Sequence, residues 1–110
     1  MDIVTTRRVE KLLQWYIGEK IPPSMRSSVR LTYKWEAAEL TLCEERPDPS
    51  YREWVGQPIV RFRFSGDRWH VLARAKDGTW GTAEAIPPHA DFERQLEQVE
   101  VDRAGIFWTA

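Results

Sequence analysis

Two turn dipeptides, Gly66-Asp67 and Asp77-Gly78, constrain the fold of this chain more than any other feature of the sequence. Both accept the positive φ of a two-residue hairpin turn, and both lie between residues that alternate in polarity. Two such turns predict three short antiparallel strands over residues 57–82. The segment is therefore expected to be a double hairpin whose turns fix its register.

The register predicted for the first hairpin separates apolar from polar side chains. Its apolar side pairs Phe64 with Trp69, Phe62 with Val71 and Val60 with Ala73, and its polar side pairs Arg63 with His70, Arg61 with Leu72 and Ile59 with Arg74. The second turn places Ala75 opposite Trp80, both on the apolar side. A register slip of one residue would exchange the two faces, so the clean separation favours this pairing.

The first half of the chain predicts a helix and two more strands. Apolar residues recur at helical spacing from Val9 to Ile17, which predicts an amphipathic helix over roughly 6–18 that begins at Thr5 or Thr6. Residues 29–36 alternate as a half-buried strand, and a short turn leads to a second strand over about 40–45. The turn residues, Ala37 and Ala38, do not favour positive φ, so this turn is chemically weak.

The rest of the chain predicts a loop, a second helix and a docked tail. Residues 46–58 hold three prolines and a glycine, which predicts a loop. A helix is expected over about 90–101, and the apolar tail 105–108 is expected to dock on the domain. The predicted fold class is α+β. It is a single two-layer domain over residues 1–110, a five-stranded, mainly antiparallel meander of hairpins with an N-terminal and a C-terminal helix on its apolar face.

Composition excludes little and points to the cytoplasm. The net charge over 110 residues is −1, so nothing global favours nucleic acid or a membrane. One lone cysteine, Cys43, excludes an internal disulfide and fits a reducing compartment. No signal-peptide pattern opens the chain, and no apolar run approaches the roughly 20 residues of a membrane helix. We expect a cytoplasmic protein that does not bind a membrane.

Several motifs resemble one known family. They are Ile21-Pro22-Pro23, the strand ending Leu40-Thr41-Leu42-Cys43-Glu44-Glu45-Arg46-Pro47, the run from Trp54 through Pro58 to Arg61-Phe62-Arg63-Phe64, the hairpin carrying Trp69, Asp77 and Trp80, and the ending Gly105-Ile106-Phe107-Trp108. Together they resemble a small bacterial family catalogued as domain of unknown function 3024. The resemblance implies a stand-alone bacterial protein and implies no reaction, cofactor or catalytic residue.

The polar side of the predicted sheet is the first candidate site. Strand parity places seven possible cations there, namely Arg30, Lys34, Arg61, Arg63, His70, Arg74 and Lys76. Such a surface suits an anionic partner. The alternative is a solvated face, or one neutralised by the acidic second helix. The tryptophans of these strands are expected on the other side, which disfavours single-stranded nucleic acid because that ligand needs stacking platforms.

The predicted 46–58 loop is the second candidate site. Strand parity places Glu44 on the apolar side, where a carboxylate is costly unless it is paired, and either Arg46 or Arg52 could reach it. One interpretation is a carboxylate–guanidinium pair at the mouth of a pocket, under a lid that carries Trp54. The alternative is a structural pair that holds the loop.

Catalytic chemistry has little support in the sequence. Cys43 and His70 share the polar face, but their strands need not be neighbours. The histidines lack ligand spacing and no paired-cysteine motif occurs, so no metal and no cofactor are predicted.

We expect a non-enzymatic cytoplasmic interaction module that uses the basic sheet face and the 46–58 loop to bind a protein or another anionic partner. The alternatives are nucleic-acid binding through the same face and a small-molecule enzyme with a pocket near Glu44 and Arg46. Self-association through an edge strand, the first or the fifth, is a further possibility.

Overall fold

A computed structural model describes residues 1–108 of the chain; the last two residues of the predicted domain lie outside the described residues. The elements are α1 (Ile3–Lys20), a 3₁₀ turn (Pro23–Met25), β1 (Arg30–Glu36), β2 (Glu39–Pro47), β3 (Trp54–Ser65), β4 (Arg68–Arg74), β5 (Trp80–Thr82) and α2 (Phe92–Val101). All five strands pair antiparallel in the order β1-β2-β3-β4-β5. The predicted α+β meander is therefore confirmed.

Both helices begin at an aspartate cap. The carboxylate of Asp2 accepts the N–H of Thr5, and that of Asp91 accepts the N–H of Glu93. Such caps satisfy N–H groups that have no partner inside a helix. Because Asp2 provides the cap, α1 begins earlier than the predicted start at Thr5 or Thr6, and it continues to Lys20.

The core lies between the helices and one face of the sheet. Three rings meet at its centre: Phe92 of α2 packs edge-on against Phe62 and Trp69, with centroid distances of 4.9 and 5.0 Å. Their neighbours from the two helices and the three central strands are Val9, Leu13, Tyr16, Leu96, Val99, Leu40, Leu42, Val60 and Val71. Burial of these side chains on one face holds both helices there, and within residues 1–108 no helix lies on the opposite face of the sheet.

A buried amide ties α2 to the sheet. The side chain of Gln95 is almost fully buried, and its Nε2 donates to the carbonyls of Trp69, at 2.9 Å, and Pro87, at 3.0 Å. A buried amide without partners would destabilise the core, so these two bonds fix how α2 lies against β4.

Two hairpin turns match the predicted positions. Gly66 and Asp67 both have positive φ, and the pairs Phe64–Trp69, Phe62–Val71, Arg63–His70 and Arg61–Leu72 are confirmed. The β1–β2 turn is also tight, because Glu36 pairs with Glu39. Its first residue, Ala37, has a φ of 53°, so the weak turn chemistry seen in the sequence corresponds to backbone strain at an alanine.

The register predicted for the second hairpin is wrong by one residue. Trp80 pairs with Arg74, so the predicted pairing of Ala75 with Trp80 does not form. The turn has three residues, 76–78, and only Gly78 among them has positive φ. The Asp77 carboxylate instead accepts the N–H and hydroxyl of Thr79, which favours this turn over a two-residue one. Trp80 therefore lies on the face away from the helices.

The predicted loop over 46–58 is also wrong in extent. β2 runs to Pro47 and β3 begins at Trp54, so only residues 48–53 connect them. Pro58 is accommodated beside a bulge, where Leu42 pairs with Val60 and Cys43 with Pro58. Proline is tolerated at such a position because the ladder does not need its missing N–H. The extra residue, Ile59, reverses the parity of β3 towards its start.

The C-terminal tail docks as predicted, and one aspartate holds it. Asp102 ends α2 in the left-handed conformation, and its carboxylate accepts the N–H groups of Ile106, Phe107 and Trp108. Burial alone would raise the pKa of Asp102, but these N–H bonds outweigh it, so the pKa lies below its ordinary value.

Replacing Asp102 with Asn is expected to lower the free energy of unfolding at pH 7 by about 1 kcal/mol, because an amide oxygen replaces a charged acceptor of three bonds. The folded-state pKa is depressed, so the carboxylate stabilises the fold above its unfolded pKa of about 3.9 and loses that contribution as pH falls through the folded value. The free energy of unfolding is measured with urea at pH 7 and in acid, below the folded-state pKa of Asp102. The difference in that free energy between the variant and the wild type should be smaller in acid.

The matched control is Asp67→Asn. Asp67 also has positive φ, but no hydrogen bond of its side chain occurs within residues 1–108. An equal loss of stability at pH 7 in both variants would contradict the role given to the Asp102 carboxylate.

Candidate interaction surface

We call the sheet face away from the helices the open face. Its residues are Arg30, Thr32, Lys34 and Glu36 of β1, Glu39, Thr41, Cys43 and Glu45 of β2, Trp54, Arg61 and Arg63 of β3, His70, Leu72 and Arg74 of β4, and Trp80 and Thr82 of β5. It contains the predicted basic set apart from Lys76, which lies in the turn after β4. Within the described chain, both helices pack on the other face.

Arg61 connects most of this face. Its guanidinium carbon lies 4.4 Å from the ring centre of Trp80, and its Nε donates to the Thr41 hydroxyl at 3.1 Å. Its Nη1 lies 3.5 Å from a carboxylate oxygen of Glu39. Leu72 pairs with Arg61 of β3 on one side and with Thr82 of β5 on the other. It is buried although its side chain points away from the core. Arg61 is therefore an organising residue of the surface as well as one of its cations.

A second arginine–tryptophan pair lies towards the other edge. Arg30 of β1 sits over the ring of Trp54, with 4.2 Å from guanidinium carbon to ring centre, and its Nε donates to Glu45. Gly56, opposite Glu45, leaves room for that carboxylate, since a Cβ there would lie 3.3 Å from the Glu45 side chain. The two pairs, Arg30–Trp54 and Arg61–Trp80, repeat one arrangement at opposite sides of the face.

The expectation that this face lacks aromatics is therefore wrong. The bulge at Ile59 brings Trp54 onto the open face, and the three-residue turn brings Trp80 there. Both rings remain half-buried beneath their arginines. Strand parity misplaced Trp80 because its side depends on one extra turn residue, and it did not place Trp54, which fell in the segment predicted as a loop.

The charge of the open face is mixed with a basic excess. Five Lys and Arg side chains lie there with three Glu, and Arg61 and Arg63 share Glu39. Arg74 forms no ion pair within residues 1–108. The acidic residues that reduce the positive charge of the open face belong to the sheet itself. The alternative of neutralisation by α2 is wrong, because α2 packs on the opposite side.

Glu44 and Arg46 lie on the helix side, away from the open face. The Nε of Arg46 donates to Glu44 at 2.7 Å, and Arg46 is mostly exposed. Both residues are still in β2, so the pair forms within a strand at the end of the sheet. Trp54 is on the other face and does not cover them, so the predicted lid is wrong. The predicted pocket is present, because Glu44 and Arg46 line a cavity of about 780 Å³.

Cys43 and His70 are not brought together. β3 lies between their strands, and Cys43 is opposite Pro58 whereas His70 is opposite Arg63. Burial raises the pKa of the Cys43 thiol, with Lys34 and Arg61 acting against the rise, so the thiol stays protonated at neutral pH. No group of three potential metal ligands occurs among residues 1–108.

A groove between the two helices was missed by the sequence reasoning. It has a volume of about 460 Å³ and lies between α1 and α2. Its lining residues are Leu12, Trp15, Tyr16, Glu19, Lys20, Glu93, Leu96, Glu97 and Glu100. Trp15 is 66% exposed at this groove. The signal that could have found it is the position of Trp15 beside the apolar stripe of α1, together with the acidic face of α2.

Arg61→Ala is expected to lower the free energy of unfolding by about 2 kcal/mol, because it removes the Thr41 hydrogen bond and the Trp80 contact together. Arg63→Ala is the matched control: it lies on the same strand and face, shares Glu39, and is largely exposed. Its cost should stay below about 1 kcal/mol. Chemical denaturation measures both, and equal losses would contradict the organising role of Arg61.

Comparison with known proteins supplies a family and no function. No helix of the described residues is long and apolar enough to cross a membrane. No curated protein and no solved structure matches the chain. One family model, described as a domain of unknown function (DUF3024), matches residues 1–109. That match covers nearly the whole chain and agrees with the resemblance seen in the sequence motifs, so the chain belongs to the DUF3024 family.

Proposed function

We propose that this protein is a non-enzymatic cytoplasmic interaction module whose open face binds a protein partner through an anionic surface. The carrying observation is that the open face, on which no helix of residues 1–108 packs, presents two arginine–tryptophan pairs with exposed cations around them. The connection between β2 and β3, which was predicted as a loop over 46–58, comprises residues 48–53 and adjoins the open face through Trp54.

The composition of the open face supports a protein partner. Tryptophan and arginine are enriched where protein interfaces gain most of their binding free energy. Glu39 and Glu45 lie among the arginines, and a continuous phosphate backbone crossing the face would meet them. A protein surface can place its acidic groups over Arg63 and Arg74 and avoid those glutamates.

Single-stranded nucleic acid is the second candidate, and the positions of Trp54 and Trp80 favour it. An antiparallel sheet that presents aromatic rings beside cations suits stacking of bases. Each ring is partly covered by an arginine, so bases would have to stack on or displace that guanidinium. The excess of only two positive charges, five Lys and Arg over three Glu, also limits phosphate binding.

Tagged protein recovered from its own cells at low salt, with and without nuclease, should carry a partner that survives nuclease. The double variant Arg63→Gln, Arg74→Gln should lose that partner, because it removes two exposed cations and leaves the structural contacts of Arg61 intact. Partner recovery is quantified by mass spectrometry, and the melting temperature of each variant is measured alongside.

The control is Arg7→Gln, Arg8→Gln, which removes the same charge from exposed positions on α1. Equal recovery with both double variants would refute binding through the open face. A partner that disappears with nuclease would move nucleic acid to first place, and its retention should then weaken steeply as salt rises. No partner under any condition would count against the interaction module.

A further inference from the structure

We propose that β1 pairs antiparallel with β1 of a second copy of this chain, with Tyr33 at the two-fold axis. This would join two sheets into one continuous ten-stranded sheet. The inference rests on the backbone and side chains of β1 and does not depend on what the open face binds.

β1 is the long unpaired edge of the sheet. It has seven residues, and one side pairs with β2 over its full length. Within residues 1–108, no backbone hydrogen bond from outside that ladder reaches residues 30–36. The other edge strand, β5, has only three residues, and the start of β4 on that side is already bonded to His89. Unpaired N–H and C=O groups along β1 are a template for another strand.

Alternation of side chains limits how two copies of β1 can pair. Leu31, Tyr33 and Trp35 point to the helix side, whereas the even-numbered residues of β1 belong to the open face. A register that pairs odd with even positions would place apolar side chains of one copy beside charged ones of the other. Registers that preserve the faces are centred on a single residue of β1.

Charge selects one of the three registers that are centred on Thr32, Tyr33 or Lys34. A pairing centred on Thr32 places Arg30 opposite Lys34, and one centred on Lys34 places the two lysines opposite each other. Both put like charges in direct cross-strand contact, which is destabilising.

A pairing centred on Tyr33 avoids both conflicts. It places Arg30 opposite Glu36, Thr32 opposite Lys34, and Leu31 opposite Trp35. The ion pair would form twice by symmetry, as an isologous interface requires. Glu36 is available for it, since its side chain is 71% exposed and its contact with Lys34 within the chain is as long as 3.9 Å. A single lysine often protects an edge strand, but in this register Lys34 meets only a threonine.

Sedimentation velocity over a range from micromolar to millimolar protein should show a monomer–dimer equilibrium. Thr32→Lys should raise the dimer dissociation constant roughly tenfold, because it places two lysine–lysine contacts in the interface. The fold should tolerate this change, since Glu45 lies beside Thr32 and can pair with the new amine.

The matched control is Thr82→Lys, the same change on the other edge strand and on the same face, which should leave the dissociation constant unchanged. A monomer at every concentration would overturn the proposal. So would equal effects of the two lysine variants, since that would indicate association driven by net charge.

A charge exchange tests the register itself. Glu36→Arg should weaken the dimer, because it places two arginines in contact. Mixing it with Arg30→Glu should give a heterodimer that is tighter than either variant alone, since each copy then faces the opposite charge. Absence of that preference, with both variants folded by circular dichroism, would overturn the Tyr33-centred register. If Arg30→Glu unfolds for lack of its Glu45 contact, the Thr32 and Thr82 variants decide the proposal.

Discussion

The contact between Arg61 and Trp80 is the interaction on which the open face depends. Arg61 reaches Thr41 and Glu39 on β2 on one side and the Trp80 ring on β5 on the other. A single side chain thus contacts strands on both sides of β3, and its cross-strand neighbour Leu72 is buried although it lies on the open face. The result is a second, small layer of packing on the face opposite the main core.

This layer gives the open face properties that net charge does not reveal. The whole chain is almost neutral, yet one face gathers arginines over tryptophans, with Glu39 and Glu45 between them. The guanidinium groups are held in place by these contacts, which would lower the entropy lost on binding the proposed partner. The proposed pairing of two β1 edges would double that surface.

Much of the fold follows from periodicity, whereas the open face depends on single-residue irregularities. Alternation and the Gly66-Asp67 turn predict the first hairpin correctly, because both agree on one register. The Asp77-Gly78 dipeptide suits either a two-residue or a three-residue turn, and the bonds from Thr79 to Asp77 decide between them in three dimensions. The bulge at Ile59 likewise depends on how Pro58 fits beside β2. The basic residues could be placed from sequence, but their aromatic partners could not.

The orientation of Trp80 tests this account most directly. A nuclear Overhauser experiment on labelled protein should show contacts from the Trp80 ring protons to the side chains of Arg61 and Leu72, since all three lie on the open face. Contacts from the ring to core residues such as Val71 would instead place Trp80 on the helix side. That result would restore the two-residue turn and remove the arginine–tryptophan pair on which the open face is built.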